Sequence, residues 1–262
     1  MEENLEGKIE KNSEANLETP VEIESTAETP GEIHSQNNPE NNSVSTFTKV
    51  HTTVSFIVMV LINFLANTIP LNKMTTGEIS DLYPNLFAPA GMTFSIWRII
   101  YLLLGAYTIY QFGIFKKKDG VFSKNLIEHL GIFFSISSIA NTAWIFAWHY
   151  HAIGMSLVLT AVILACLIYI NIKIRKANLE TLEKLFIKLP FSIYFGWITI
   201  TAIANTIAFL SSIGWNRFGI SEPLWTSLVL IFTLLICGII TFKNQDFIYG
   251  LPVIWAFIGI LI

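Results

Sequence analysis

No acidic residue falls within any of the long apolar runs of this chain, which cover roughly 51–71, 92–114, 130–149, 153–172, 187–211, 223–242 and 247–262. That absence removes the carboxylate pairs of acid–base catalysis and the midplane acids of many ion-coupled carriers. Cysteine is nearly absent too. Cys166 and Cys237 each stand alone inside an apolar run, without the paired spacing of a zinc or redox site, so they read as small core residues. No nucleophile, metal cluster or acid–base pair is evident, so neither an enzyme nor a bound cofactor is expected. Charge is scarce at 13% against 53% hydrophobic residues, where soluble domains carry about 25% and 45–50%. Water is not the main solvent of such a chain. The first residues, Met1-Glu2-Glu3, lack a basic n-region, so a cleavable signal peptide is not expected.

What charge there is lies unevenly. Eleven of the nineteen acidic residues, all glutamates, fall in the first 48 positions, leaving fourteen Lys and Arg against eight Asp and Glu beyond them. This tail is rich in Glu, Asn, Ser, Thr and Pro and poor in aromatics, so it cannot bury enough apolar surface to offset the entropy of ordering and is expected to be disordered. Glu18-Thr19-Pro20-Val21-Glu22-Ile23 recurs imperfectly as Glu28-Thr29-Pro30-Gly31-Glu32-Ile33, too short for a solenoid unit.

Most of the seven apolar runs reach the roughly 20 residues that cross a bilayer core, and they lack the alternation of barrel strands. An all-α, polytopic transmembrane helix bundle follows. The third and fourth runs are joined by His149-Tyr150-His151 alone, which makes them an antiparallel pair with both histidines expected in a solvated loop. Alternate connections hold the basic residues: Lys116, Lys117, Lys118 and Lys124, then Lys173, Arg175, Lys176, Lys184 and Lys188, then Lys243. The opposite face has little beyond Lys73 and Arg217. A multi-pass protein of the cell membrane with its N-terminus cytoplasmic is the orientation this predicts. The last run stops at Ile262 without a polar flank, so the expectation is either a buried C-terminus or an incomplete chain, which in the second case lacks an eighth helix.

Polar and aromatic residues gather in helical stripes. Phe94, Trp97, Tyr101, Gly105 and Thr108 share one face; so do Ser137, Asn141, Trp144 and Trp148; so do Tyr194, Trp197, Thr201 and Asn205, and the first run adds Asn63 and Asn67. Amides and indole N–H groups in a membrane need partners, so these faces are expected to turn inward, either as interhelical glue or as the wall of an aromatic pocket. Arg98, near one helix end, is read as snorkelling to the headgroups rather than as a pocket cation.

Phe87-Ala88-Pro89-Ala90-Gly91 followed by Phe94, Trp97, Tyr101 and Gly105, then Asn141 and Trp144 ahead of a short turn, then Pro190, Trp197 and Asn205, resemble the tryptophan-rich sensory proteins, the TspO/MBR translocator-protein family. The resemblance runs over about 51–211. It implies a five-helix core that binds tetrapyrroles, sterols or related hydrophobic ligands, with Trp97, Tyr101, Asn141, Trp144, Trp197 and Asn205 as ligand-binding residues; the stripes add Trp148 and Tyr194 to that candidate set. It also implies that the Asn72–Ala90 connection, with Pro89 and Gly91, forms a lid. The family's double proline and following Trp are Ala88-Pro89-Ala90-Gly91-Met92 here, and Pro190 stands about one helical turn further from Trp197 than in the family. Leu167, Tyr169 and Lys173 fit the loose sterol-recognition pattern.

The expected organisation is therefore an acidic tail over 1–48, a TspO-like core over 49–211 and about two additional helices over 212–262. Those helices either pad the bundle laterally or alter its core. Expected partners are membrane lipid and a hydrophobic small molecule such as a porphyrin; nucleic acid is not expected, and a homodimer is compatible with the sequence. A sensor or carrier of a planar hydrophobic ligand is the leading reading, and a small-solute permease using the same interior is the alternative.

Overall fold

The computed structural model describes residues 43–115 and 123–262. The repeat, nearly all of the acidic tail, and Lys116, Lys117 and Lys118 lie outside the described residues. Helix α1 (Thr46–Thr68) starts because the Ser45 hydroxyl accepts the Thr48 N–H at 3.2 Å, so the helix begins ahead of residue 48, where composition alone ends the tail. A short α2 (Thr76–Asp81) follows, and a 3-10 turn over Gly91–Ser95 leads into α3 (Ile96–Tyr110). Then come α4 (Lys124–His149) and α5 (Ile153–Lys176). A single turn, α6 (Thr181–Glu183), and a wide π turn over Lys184–Lys188 lead into α7 (Leu189–Ser212). The last two are α8 (Glu222–Asn244) and α9 (Phe247–Leu261). Pro190 and Pro223 sit in the first turns of α7 and α8, where a missing N–H costs no hydrogen bond.

Among the described residues there is no strand, and six helical stretches are long and apolar enough to cross a membrane. The last helix is shorter. At 15 residues α9 rises about 22 Å, less than a hydrocarbon core of about 30 Å.

The α4–α5 turn is tighter than a loop. His151 adopts a left-handed φ of 58°, Ala152 N–H donates to the Ala147 carbonyl at 2.8 Å and His151 N–H to that of Trp148 at 3.1 Å, which is the Schellman closure of a helix end. His149 is consequently the last helical residue rather than a solvated one: it is fully buried, with Nδ1 2.7 Å from the Ile145 carbonyl. His151 is exposed, as the sequence suggests.

Helices α4 and α7 form the middle of the bundle, with 56% and 61% of their spanning residues buried against 17% for α8. Polar clasps join neighbours. Asn63 on α1 donates to Asn141 Oδ1 on α4 at 2.8 Å. Asn205 on α7 accepts from Ser156 at 3.0 Å and donates to Thr160 at 3.1 Å, both on α5. In hydrocarbon an amide left alone has no water to turn to, although the gain from each interhelical bond is modest, about 0.6–2 kcal/mol. Asn63→Leu or Asn141→Leu alone should therefore lower stability in detergent by about 1–2 kcal/mol, while the double variant should lose less than the sum of the two. A double-mutant cycle on unfolding midpoints measures this.

The two C-terminal helices take different roles. α8 pads the side of the bundle. α9 enters it: Gly196 on α7 lies directly against the Tyr249 carbonyl oxygen and Pro252, and Gly259 lies against the Thr93 side chain. Any Cβ at either glycine would collide. With the backbones this close, Ala90 N–H donates to the Gly259 carbonyl at 2.7 Å and the Trp255 indole to the Thr93 carbonyl at 2.9 Å. The connection that leads into α3 is thus held by the last helix of the chain.

Candidate functional site: an aromatic cavity under the α2–α3 connection

A cavity opens where α3, α4 and α7 meet beneath the residues between α2 and α3. Its α7 wall is Trp197, Ile200, Thr201, Ala204, Asn205 and Ala208, one helical face by spacing. α4 contributes Trp144 and Trp148, α3 contributes Trp97 with Phe94 just before it, and the cover contributes Ser80, Asn85, Ala88 and Pro89. The indoles are ordered against each other. Trp144 and Trp148 stack at 5.4 Å between centroids, Trp97 meets Trp197 edge-on at 6.3 Å, and Phe94 meets Trp197 edge-on at the same distance. Such pairings are favoured geometries for aromatic quadrupoles and hold the rings in place.

Two of the lining indoles carry unpaired donors. The Nε1–H groups of Trp144 and Trp197 are buried and have no partner among the described residues, whereas Trp148 Nε1–H donates to the Thr76 carbonyl at 3.1 Å. Buried donors without acceptors are rare and costly. The space left between the side chains is about 40 Å³, room for about three waters at ~10–15 Å³ each.

With the geometry known, comparison with known proteins decides the family. The family model for TSPO-like protein matches residues 49–262. The chain belongs to the TSPO-like protein family. It is accordingly a multi-pass integral membrane protein, as its six long apolar helices also require. No curated protein and no solved structure matches it. The family match continues through α8 and α9.

In this TSPO-like chain five of the eight residues proposed from sequence, Trp97, Trp144, Trp148, Trp197 and Asn205, line one cavity. The other three do not. Asn141 faces Asn63, and Tyr101 stacks on Trp97 at 5.4 Å, away from the opening. Tyr194 is fully buried behind Trp97, its ring edge-on to the indole at 6.1 Å. Asn205 lines the wall, but both ends of its amide are already engaged by α5. The expectation that Asn141 and Asn205 fix a ligand's polar edge is therefore corrected: both are clasps between helices. Ile200, Ala204 and Ala208 were not singled out by sequence, since alanines and an isoleucine on an apolar helix carry no signal of which cavity they face. Leu167 of the sterol-like pattern is buried and Tyr169 stacks on Phe133 at 3.8 Å, so those residues do not present one open face. Arg98 is exposed on the outer side of α3, in keeping with the snorkelling reading.

The cover is tethered at both edges. Asn72 donates to the His149 carbonyl at 2.9 Å, and Tyr83 Oη and His151 Nδ1 are 3.2 Å apart. Ala90 and Thr93 hold to α9 as described. Pro89 is buried and lines the cavity, while Gly91 is exposed and does not. Within the cover, Thr75 and Glu78 form a reciprocal capping box for α2. The bonds from the Thr75 backbone and hydroxyl hold the Glu78 carboxyl below its usual range.

Proposed function

We propose that this protein binds a planar, hydrophobic ligand bearing hydrogen-bond acceptors, of tetrapyrrole type, in the cavity beneath the α2–α3 connection, as a sensor or carrier and without catalysing a reaction on it. The observation that carries this reading is the pair of unpartnered indole N–H groups, Trp144 and Trp197, among stacked aromatic rings. Indole faces suit a flat aromatic ligand, and indole N–H groups suit its carboxylates or ring nitrogens. Because the space between the side chains is only about 40 Å³, a tetrapyrrole enters by displacement of the cover, and the tethers from Asn72 and Tyr83 open while α9 keeps its hold on Ala90 and Thr93. The protein lies in the cell membrane with its N-terminus cytoplasmic, on the side of the basic connections, and the cover and cavity mouth on the opposite side.

Titration of the purified protein with protoporphyrin, followed by tryptophan fluorescence, tests this directly. Saturable quenching is expected, and Trp144→Phe and Trp197→Phe should each weaken binding about tenfold, the loss of one hydrogen bond to a charged acceptor. Wild-type protein that shows no saturable quenching would remove the reading.

A further inference from the structure

A second, larger space lies on the far side of α7. It is a groove of about 580 Å³ between α5, α7 and α8, within the range of ligand pockets, about 300–1,000 Å³. It exists because α8 stands away from α5: Ile168 and Ile239, on its two flanks, are both largely exposed. Its composition is graded along its length. Leu164, Ile168, Ile203 and Ile236 line the stretch nearer the membrane centre, whereas Asn171, Arg175, Lys243 and Asn244 line the end where α5 and α8 both finish. No carboxylate is among the lining residues. Asn244 Nδ2 lies 3.5 Å from Asn171 Oδ1, so the two carboxamides bridge α5 and α8 at this end.

From this gradient we infer that the groove is a binding site for one anionic phospholipid of the leaflet at the Arg175 end. The phosphate and its headgroup sit between Arg175 and Lys243, with the Asn171 and Asn244 amides beneath, and one acyl chain lies along the isoleucine-lined wall. Two observations select a lipid over a soluble anion or a partner helix. Charge complementarity is confined to one end, as in a lipid. The distance from Arg175 to Leu164, eleven residues of α5, rises about 16 Å, close to the roughly 15 Å of hydrocarbon in one leaflet. Basic residues in the last turn of a helix also offset its dipole, but that role does not require them on opposite banks of one groove. The site shares no lining residue with the aromatic cavity, so its fate is independent of porphyrin binding.

Full-length protein in nanodiscs of equal parts phosphatidylglycerol and phosphatidylcholine, released into the gas phase for native mass spectrometry, reports which lipid stays bound. One retained phosphatidylglycerol is expected, with a preference of about tenfold over phosphatidylcholine. Arg175→Gln with Lys243→Gln, both exposed positions, should bring the preference close to one. Ala202→Trp, which fills the apolar part of the groove, should abolish retention without touching a charge. A wild type without headgroup preference would overturn the inference. So would a double Gln variant that keeps the preference, or an Ala202→Trp variant that still retains the lipid. The thermal midpoint of each variant verifies folding, and if one variant fails to fold the other still assigns the lipid to the groove or removes it from there.

Discussion

Gly196→Leu is expected to cost the folded bundle at least about 3 kcal/mol, the upper end for an overpacked contact. A Cβ at this position meets the Tyr249 carbonyl oxygen, with the carbonyl carbon at 3.2 Å and Pro252 Cγ at 3.3 Å. The obstructing atoms belong mainly to backbone, so no rotamer change gives relief, and α9 has to leave α7. When it leaves, the bonds from Ala90 to Gly259 and from Trp255 to Thr93 go with it, each worth about 0.5–1.5 kcal/mol. Gly259→Ala offers the contrast. There the obstruction is the Thr93 side chain, with Cβ and Cγ2 both at 2.9 Å. Thr93→Gly in the Gly259→Ala background should thus recover at least half of the loss, whereas Tyr249→Ala in the Gly196→Leu background should recover none. Unfolding midpoints in mild detergent, read by size-exclusion fluorescence, measure all four. Recovery by Tyr249→Ala would show that α9 does not approach α7 through its backbone.

This docking marks where the sequence stops being legible. Seven apolar segments, their order and the inward turn of the aromatic stripes follow from hydropathy and helical spacing, and the structure has a helix for each, with ends that differ by up to about six residues. The tryptophans were legible because a large indole on a polar stripe has few places to go in a membrane. The amides were not. Spacing puts Asn141 and Asn205 on inward faces, yet it cannot say whether the group across from them is a ligand or another helix; Asn63, Ser156 and Thr160 are the answer only once the helices are placed. His149 misled for a related reason. A histidine beside a two-residue turn reads as solvated, but the Schellman closure continues α4 through it and folds it inward. Gly196 and Gly259 carry no mark at all in the sequence, since a glycine that admits a neighbour's carbonyl looks like any other. The fate of α8 and α9 therefore had two readings. Lateral padding describes α8, and a place in the core describes α9.

Ala204→Trp should weaken porphyrin binding at least about 100-fold, because an indole at this point of the α7 wall occupies the space a planar ligand needs. An indole there displaces the cover as a tetrapyrrole does, so the variant should also lose about 1–3 kcal/mol of stability, the cost of overpacking. The control lies two residues away. Ala202 and Ala204 are separated by about 200° around the helix, and Ala202 lines the lipid groove instead of the cavity. Ala202→Trp should leave porphyrin affinity within about twofold of wild type while removing the retained lipid, and Ala204→Trp should do the reverse. Fluorescence titration and native mass spectrometry on the same two variants give a crossed result. If Ala204→Trp binds porphyrin as the wild type does, the ligand sits elsewhere, and the Trp144 and Trp197 indoles are packing. If both variants lose porphyrin, α7 has been displaced as a whole and its two faces are not separable. The crossed pattern arises only when one helix divides two sites that differ in ligand, in access and in the side of the membrane they open toward.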